Sequence, residues 1–404
     1  MALAAGEAPA ASPFGLKPGA PKMSASSRRH DLDALRIGAF LLLILYHLGM
    51  FYVPWDWHVK STHILPALEV PMGLLNPWRL TLLFVISGAA TRFMMEKLTA
   101  GQLAAQRSQR LLVPLLFGML IVVAPQSWAE VVEKQGYAGS FLDFWPRYLA
   151  FDQSFGIILP TYNHLWFVAY LWVYTMVLAA ALPLLPRLDQ LAGRLLGGWG
   201  VFVTPVLAFG TYLATAGRAW GETHVVFADA YGHLLYGTAF LLGVLLAPRE
   251  EIWALLERNR RWALAAVFAI AGVGLTLSAQ GFEDAPGWQG AAFAYLREAY
   301  AWAAICALFG FARRHVRKGS PLLSTLNEAV FPAYIIHQTA IVLAGRFLKP
   351  LDLNAVPEAA IILAITVAAC AATYALARAV PALRLPLGLN PMARRPRPVP
   401  AAAA

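Results

Sequence analysis

Apolar stretches of membrane-crossing length recur along the whole chain, separated by short polar joints. A helix needs roughly 20 mostly apolar residues to span about 30 Å of hydrocarbon. Windows of that kind cover 33–53, 76–96, 111–131, 164–185, 200–217, 229–248, 262–280, 291–311, 322–345 and 358–379. They predict an all-α, polytopic membrane helix bundle of about ten transmembrane helices. Residues 1–27 are rich in Ala, Pro and Ser and have no apolar centre, and 386–404 carry PMARRPRPVPAAAA. Both read as disordered tails flanking one transmembrane domain over 28–385. No internal repeat is visible.

Composition agrees with this pattern. The 404 residues are 59% hydrophobic and 13% charged, against roughly 25% charged in soluble domains. A net charge of +10 would suggest a nucleic-acid partner in a soluble chain. Here Lys and Arg collect in alternate joints, as in Arg107 and Arg110, Arg258, Arg260 and Arg261, and Arg313, Arg314, Arg317 and Lys318. The intervening joints hold few. Basic loops stay inside, so both termini are expected in the cytoplasm, and the positive charge needs no nucleic acid. Cys306 and Cys370 sit in separate apolar windows, so no disulfide or metal framework follows. Most tryptophans, among them Trp55, Trp57, Trp166 and Trp220, fall at the outer ends of windows. They read as an aromatic belt or as a surface on which a sugar stacks.

The informative residues are those that lipid should exclude. HDLDALRIGAFLLLILYHLGM keeps Arg36 and His47 in one apolar window, although an ionisable group at the centre of a membrane helix costs about 2.5–3.5 kcal/mol on insertion scales. Eleven residues at 100° each return to nearly the same direction, so the two share a face about 16 Å apart along the axis. Asp33, one turn before Arg36, is placed to pair with it. Ser87-Gly88 lies mid-window, where small residues admit a backbone or a ligand. Arg107 and Arg110 at the start of the third window suit phosphate groups. Asn163 and His164 begin the fourth window. NEAVFPAYIIHQ adds Asn327, Glu328, His337 and Gln338 around Pro332; Glu328, in an apolar helix, calls for a partner. Neutral imidazole can accept a proton at physiological pH. A polar tunnel with a cationic mouth inside and a histidine nearer the outside describes transfer of a group from a cytoplasmic, phosphate-bearing donor to an acceptor outside. A transporter or flippase for a lipid-linked or acidic solute would use the same tunnel, and a silent scaffold would need every buried polar group to be a packing device.

LDALR with the Arg36–His47 spacing, LLFVISG, Arg107-x-x-Arg110, HLWF and NEAVFPAYIIHQ, in that order, resemble the membrane acyltransferase 3 family over residues 28 to about 385. WHVKS after the first window is similar to a branch associated with succinyl transfer to periplasmic glucans in Gram-negative bacteria. The resemblance implies an enzyme of the bacterial inner membrane that moves an acetyl- or succinyl-class acyl group from cytoplasmic acyl-CoA to a carbohydrate hydroxyl outside. It implies no permanently bound cofactor and no metal. Carried over, His47 is the catalytic histidine and Arg36 the motif arginine. Arg107, Arg110, Ser87 and Gly88 contact the donor. Asn327, Glu328, His337, His164, Trp57 and His58 are substrate contacts, and Ser87 and Asn327 are candidate oxyanion donors. Ala89 follows the Ser-Gly pair where the family commonly has an aromatic. Arg79 and Arg297 are the cations that could meet the carboxylate of a succinyl donor, or else anchor the interface.

Overall fold

The computed structural model describes residues 29–391, and the chain is helical with no strand among them. Helix α1 (His30–Met50) is followed by an irregular segment that returns across its end, and a 3-10 turn at Pro66–Leu68 opens α2 (Glu69–Met95). Helix α3 (Ala100–Phe117) begins on a capping box between Thr99 and Gln102 and passes through a π turn at Gly118–Val122 into α4 (Ala124–Gln135). The long joint beyond holds α5 (Phe141–Leu149), capped by Ser140 and Asp143. Then come α6 (Trp166–Ala180), α7 (Leu185–Leu195) and α8 (Gly200–Tyr212), the last prolonged by a π turn into α9 (Arg218–Trp220). Helices α10 (Ala230–Leu246), α11 (Glu250–Ala279), α12 (Gly287–His315), α13 (Pro321–Leu348), α14 (Ala355–Ala379) and α15 (Pro381–Arg384) complete the fold.

Every predicted window falls on a helix. Among the described residues seven segments are long and apolar enough to cross a membrane: His30–Met50, Pro66–Met95, Ala100–Gln135, Asn163–Ala180, Gly200–Trp220, Glu250–Ala279 and Ala355–Ala379. Ala230–Leu246 is apolar but shorter. The other two windows lie on α12 and α13, which have 29 and 28 residues. Charge dilutes their hydropathy, as at Arg297 and Glu298, which pair with each other at 2.8 Å.

Two boundaries differ from the sequence reading. Helix α1 stops at Met50 because Phe51, Tyr52 and Val53 turn inward and are buried in the segment beyond it. Of the tail expected from 386 onward, the described part is packed: Leu387 and Leu389 are buried, and Gly388, at φ 82°, lies against the Phe331 ring. The rest of that tail, from 392, and residues 1–28 lie outside the described residues.

A π turn leaves backbone carbonyls without helical partners, and in an apolar interior each needs one. Here side chains from other elements supply them. Tyr148 donates to the Met119 carbonyl at 2.7 Å, Trp145 to Leu120 at 3.0 Å and Thr339 to Val122 at 2.8 Å. The turn thereby fixes α4 against α13 and α5. On the other side of the bundle α2 and α10 approach so closely that only glycine fits. A Cβ on Gly88 would collide with the Phe240 carbonyl, and one on Gly243 with that of Val85.

Overpacking of this kind costs about 1–3 kcal/mol. Gly88→Val and Gly243→Val should each lower the thermal unfolding midpoint of the detergent-solubilised protein by several degrees, followed by tryptophan fluorescence. Gly38→Ala, where nothing lies within 4 Å of the new methyl, should leave the midpoint unchanged.

Candidate functional site

One face of α1 places Arg36, Phe40, Leu43 and His47 along a single cavity of about 1410 Å³. The spacing is the helical repeat, and it puts the guanidinium and the imidazole in the same passage, as the sequence implied. Helix α2 contributes Asn76, Arg79, Leu83, Ser87 and Ala90 by the same repeat, and α13 contributes Asn327, Glu328, Phe331, Tyr334 and Gln338. At one end the lining holds Arg36, Arg107, Arg110 and Asn390. At the other it holds Trp57, His58, Tyr162, Trp166, His224 and Phe227.

His47 is held by a partner on α13. Its Nδ1 lies 2.9 Å from Nε2 of His337, and Nδ1 of His337 lies 2.7 Å from the Tyr334 carbonyl. A carbonyl only accepts, so His337 carries its proton on Nδ1 and, when neutral, accepts at Nε2. The proton of neutral His47 therefore sits on Nδ1. That leaves Nε2 with a free lone pair, and no protein hydrogen bond reaches it among the described residues. The two rings stack at 5.1 Å and 10°, and the Trp57 indole lies near-parallel to His47 at 6.5 Å. His337 is fully buried and does not line the cavity. Its place behind His47 makes it an orienting group, not the substrate contact expected from sequence. His164 braces the same helix: it is buried, and its Nε2 lies 3.1 Å from the carbonyls of Tyr334 and Ile335.

At the basic end Arg36 bonds Asn327 and lies 3.6 Å from Asp33, the pairing its spacing implied. Arg107 donates to Thr91 Oγ1 at 2.8 Å, while its Nε has no partner. Neither Arg107 nor Arg110 forms an ion pair among the described residues. By contrast Arg92 and Arg249 both reach Asp189. Unpaired guanidiniums at a cavity mouth are suited to phosphate oxygens.

Three expectations change here. Gly88 lies against α10 rather than in the cavity, so of the pair only Ser87 lines it. Asn327 is bound to Arg36, about 15 Å along α13 from His337, too far from His47 to serve as its oxyanion donor. Glu328 is not sealed in an apolar interior: it is exposed near the start of α13, where Tyr374 donates to it at 2.9 Å, and it lines the basic mouth. The sequence reading missed Gln126, which donates to Thr339 at 2.5 Å and accepts from Gln338 at 3.1 Å. The polar pair Gln126-Ser127 inside an apolar window was its available signal.

The segment after α1 carries Trp57 and His58 into the opposite mouth. His58 bonds Glu130 at 2.6 Å and Gln338 at 3.0 Å. Lys60 closes the segment, donating to the carbonyls of Met50, Val53 and Trp55, a cation on the C-terminal end of a helix. Ser61 donates to the buried Glu358 at 2.7 Å and ties the segment to α14. Tryptophans divide accordingly: Trp57 and Trp166 are buried in the cavity wall, whereas Trp220 and Trp288 are exposed.

A helical bundle whose main cavity is lined by a backed histidine defines the class: an all-α polytopic membrane protein with an internal histidine site. The chain belongs to the acyltransferase 3 family, whose acyltransferase domain matches residues 29–378. Glucans biosynthesis protein C of an Escherichia coli strain is 27% identical over 150 residues, 37% of this chain and 38% of that protein. Its namesakes from a second Escherichia coli strain and from Shigella dysenteriae serotype 1 are 26% identical, with the same coverage. The aligned region thus spans under two-fifths of these relatives. No solved structure matches the chain.

Burial pushes the Lys60 amine down to about 8, against the pull of Asp56. The unfolded chain keeps this proton up to about pH 10.4, so between about pH 8 and 10.4 the unfolded state binds more protons and the contribution of Lys60 to stability rises with pH. Amine-labelling rates followed by peptide mass spectrometry should place the Lys60 midpoint near 8, well below the ordinary lysine value of about 10.4.

Proposed function

We propose that this protein is a membrane O-acyltransferase that moves an acyl group of the acetyl or succinyl class from acyl-CoA to a hydroxyl of an extracytoplasmic carbohydrate. The observation that carries the reading is the backed His47, with its free Nε2 in a cavity whose other end gathers Arg107 and Arg110, neither in an ion pair among the described residues. The basic end faces the cytoplasm of a bacterial inner membrane, in keeping with the charge bias of the joints. The coenzyme A phosphates sit on Arg107 and Arg110, and the pantetheine arm runs along the α1 face past Arg36. The distance from Arg36 to His47, about 16 Å along the helix, suits that arm. The names of the relatives favour a glucan as acceptor, entering between Trp57, Tyr162 and Phe227.

His47 Nε2 removes the proton of the acceptor hydroxyl as its oxygen attacks the thioester carbonyl. The imidazolium that forms is stabilised because Nδ1–H donates to His337 Nε2, as a base is held by its orienting partner. Collapse breaks the C–S bond, and the proton on Nε2 passes to the leaving sulfur. The products are the ester and the CoA thiol, with no net proton change. Coenzyme A is a substrate here, and no resident cofactor is required.

With the protein reconstituted in vesicles, CoA thiol release and acceptor acylation are measured together. General acid–base catalysis contributes about 10²–10⁴ in rate, so His47→Ala should lose at least a hundredfold in both while remaining folded. His337→Ala should lose tenfold or more by freeing the ring and its tautomer. Arg110→Ala should mainly raise the apparent KM for acyl-CoA. Transport of a solute without thioester cleavage, or full activity in His47→Ala, would overturn the reading.

A further inference from the structure

We propose that a small second cavity beside Glu222 is a subsite for one neutral sugar residue of the acceptor chain, so that the protein prefers acceptors longer than a single ring. The inference rests on the acyl-transfer reading and concerns the part of the acceptor away from the reacting hydroxyl. The cavity, of about 280 Å³, lies between α2, the α8–α9 junction, α10 and the start of α12. Glu222 and Asn76 line both it and the main cavity. The loop 221–229, which carries Glu222, also brings Phe227 to the acceptor mouth. The chamber therefore adjoins the path by which the acceptor reaches His47.

Every charged group in its lining is engaged. Arg297 pairs with Glu298 at 2.8 Å, and Arg218 donates to the carbonyls of Glu283 and Ala285 at 3.0 and 2.6 Å. Glu283 accepts from Ser278 at 3.0 Å, and Glu222 accepts from Tyr236. Arg218 and Arg297 balance Glu222 and Glu283 in the lining, so nothing there calls for an ionic ligand. What is left over is a hydroxyl. Tyr231, on α10, is 5% exposed and lines the cavity, and its phenolic oxygen has no hydrogen-bond partner among the described residues. Arg297, Glu222 and Glu298 act on it through space, but a guanidinium can only donate and neither carboxylate bonds the phenol. Its proton is therefore without an acceptor. A buried polar group left unsatisfied is costly and calls for a reason.

Size and wall composition name the class of ligand. The cavity is about nine times the volume that one water takes up in the liquid, room for a single sugar ring. Leu213, Leu235 and Phe293 give it apolar walls beside the polar groups of Asn76, Glu222 and Tyr231. A sugar ring matches such a site, because its C–H faces pack on the apolar side chains while its edge hydroxyls reach the few polar ones. Tyr231 donates to an oxygen of the ring, and Glu222 accepts from one of its hydroxyls. Water confined against those walls finds few partners, so a ring that displaces it gains affinity.

The test uses the full chain in vesicles with one acyl-CoA and neutral glucose oligosaccharides of one to six units as acceptors. The kcat/KM should rise at least tenfold from glucose to the longer acceptors. Tyr231→Phe removes one oxygen and should cut that gain about threefold to tenfold, the effect of one hydrogen bond. Leu213→Trp fills the chamber and should abolish the gain. Because short and long acceptors are compared on one preparation, partial unfolding cancels from the ratio. Calorimetric binding of the hexasaccharide without donor is measured alongside and should weaken in both variants. If the wild-type protein releases no CoA with any acceptor, the acyl-transfer reading fails, and with it the acceptor role of the chamber, while the binding measurement still shows whether a sugar occupies it. With CoA release intact, no chain-length gain in the wild type, or a gain that survives both substitutions, would overturn the subsite. So would a gain confined to acidic oligosaccharides, which would assign the attraction to Arg218 and Arg297.

Discussion

The hydrogen bond from His47 to His337 joins the first long helix to one of the last and fixes the tautomer of the imidazole that lines the cavity. Its geometry follows from the backbone: the Tyr334 carbonyl fixes the proton of His337, His337 fixes that of His47, and the remaining lone pair turns to the cavity. Stacking of the rings and the edge of Phe40 at 5.5 Å hold the pair in register. Without this chain of fixed protons His47 would be an ordinary polar residue on an apolar helix.

The polar groups around it form a connected set, which is how an apolar interior tolerates them. Gln126, Gln338, Thr339, His58 and Glu130 satisfy one another, and the π turn between α3 and α4 places Gln126 where it can reach α13. The same economy explains why, among the described residues, seven segments and not all ten windows pass as spans by hydropathy. Helix α12 keeps a charged pair inside, and α13 puts its polar residues on the face that lines the cavity. Helix α11, with no such duty, is apolar over most of its length and exposed there.

Much of this was legible in the sequence, because periodicity and charge are local properties. The shared face of Arg36 and His47, the Asp33 contact, the basic mouth and the positions of the helices follow from spacing alone. What was not legible depends on contacts between distant segments. His337 was found as a site residue but given the wrong part, since its role is set by a ring 290 residues away. Gly88 looked like a ligand approach because close helix crossing and ligand access demand the same small residue. Glu328 looked sealed in an apolar helix because its partner, Tyr374, lies 46 residues on in another helix. Residues 386–391 looked like tail because their anchor, Phe331, lies in another helix.

That span of 290 residues also bears on biogenesis. The ribosome delivers His47 with the first helix, whereas His337 emerges only when most of the chain has already been made. Until then the imidazole has no orienting acceptor and the passage lacks one of its walls. A nascent or truncated chain thus carries His47 without the acceptor that fixes its tautomer, and the geometry of the cavity wall is complete only once α13 is in place.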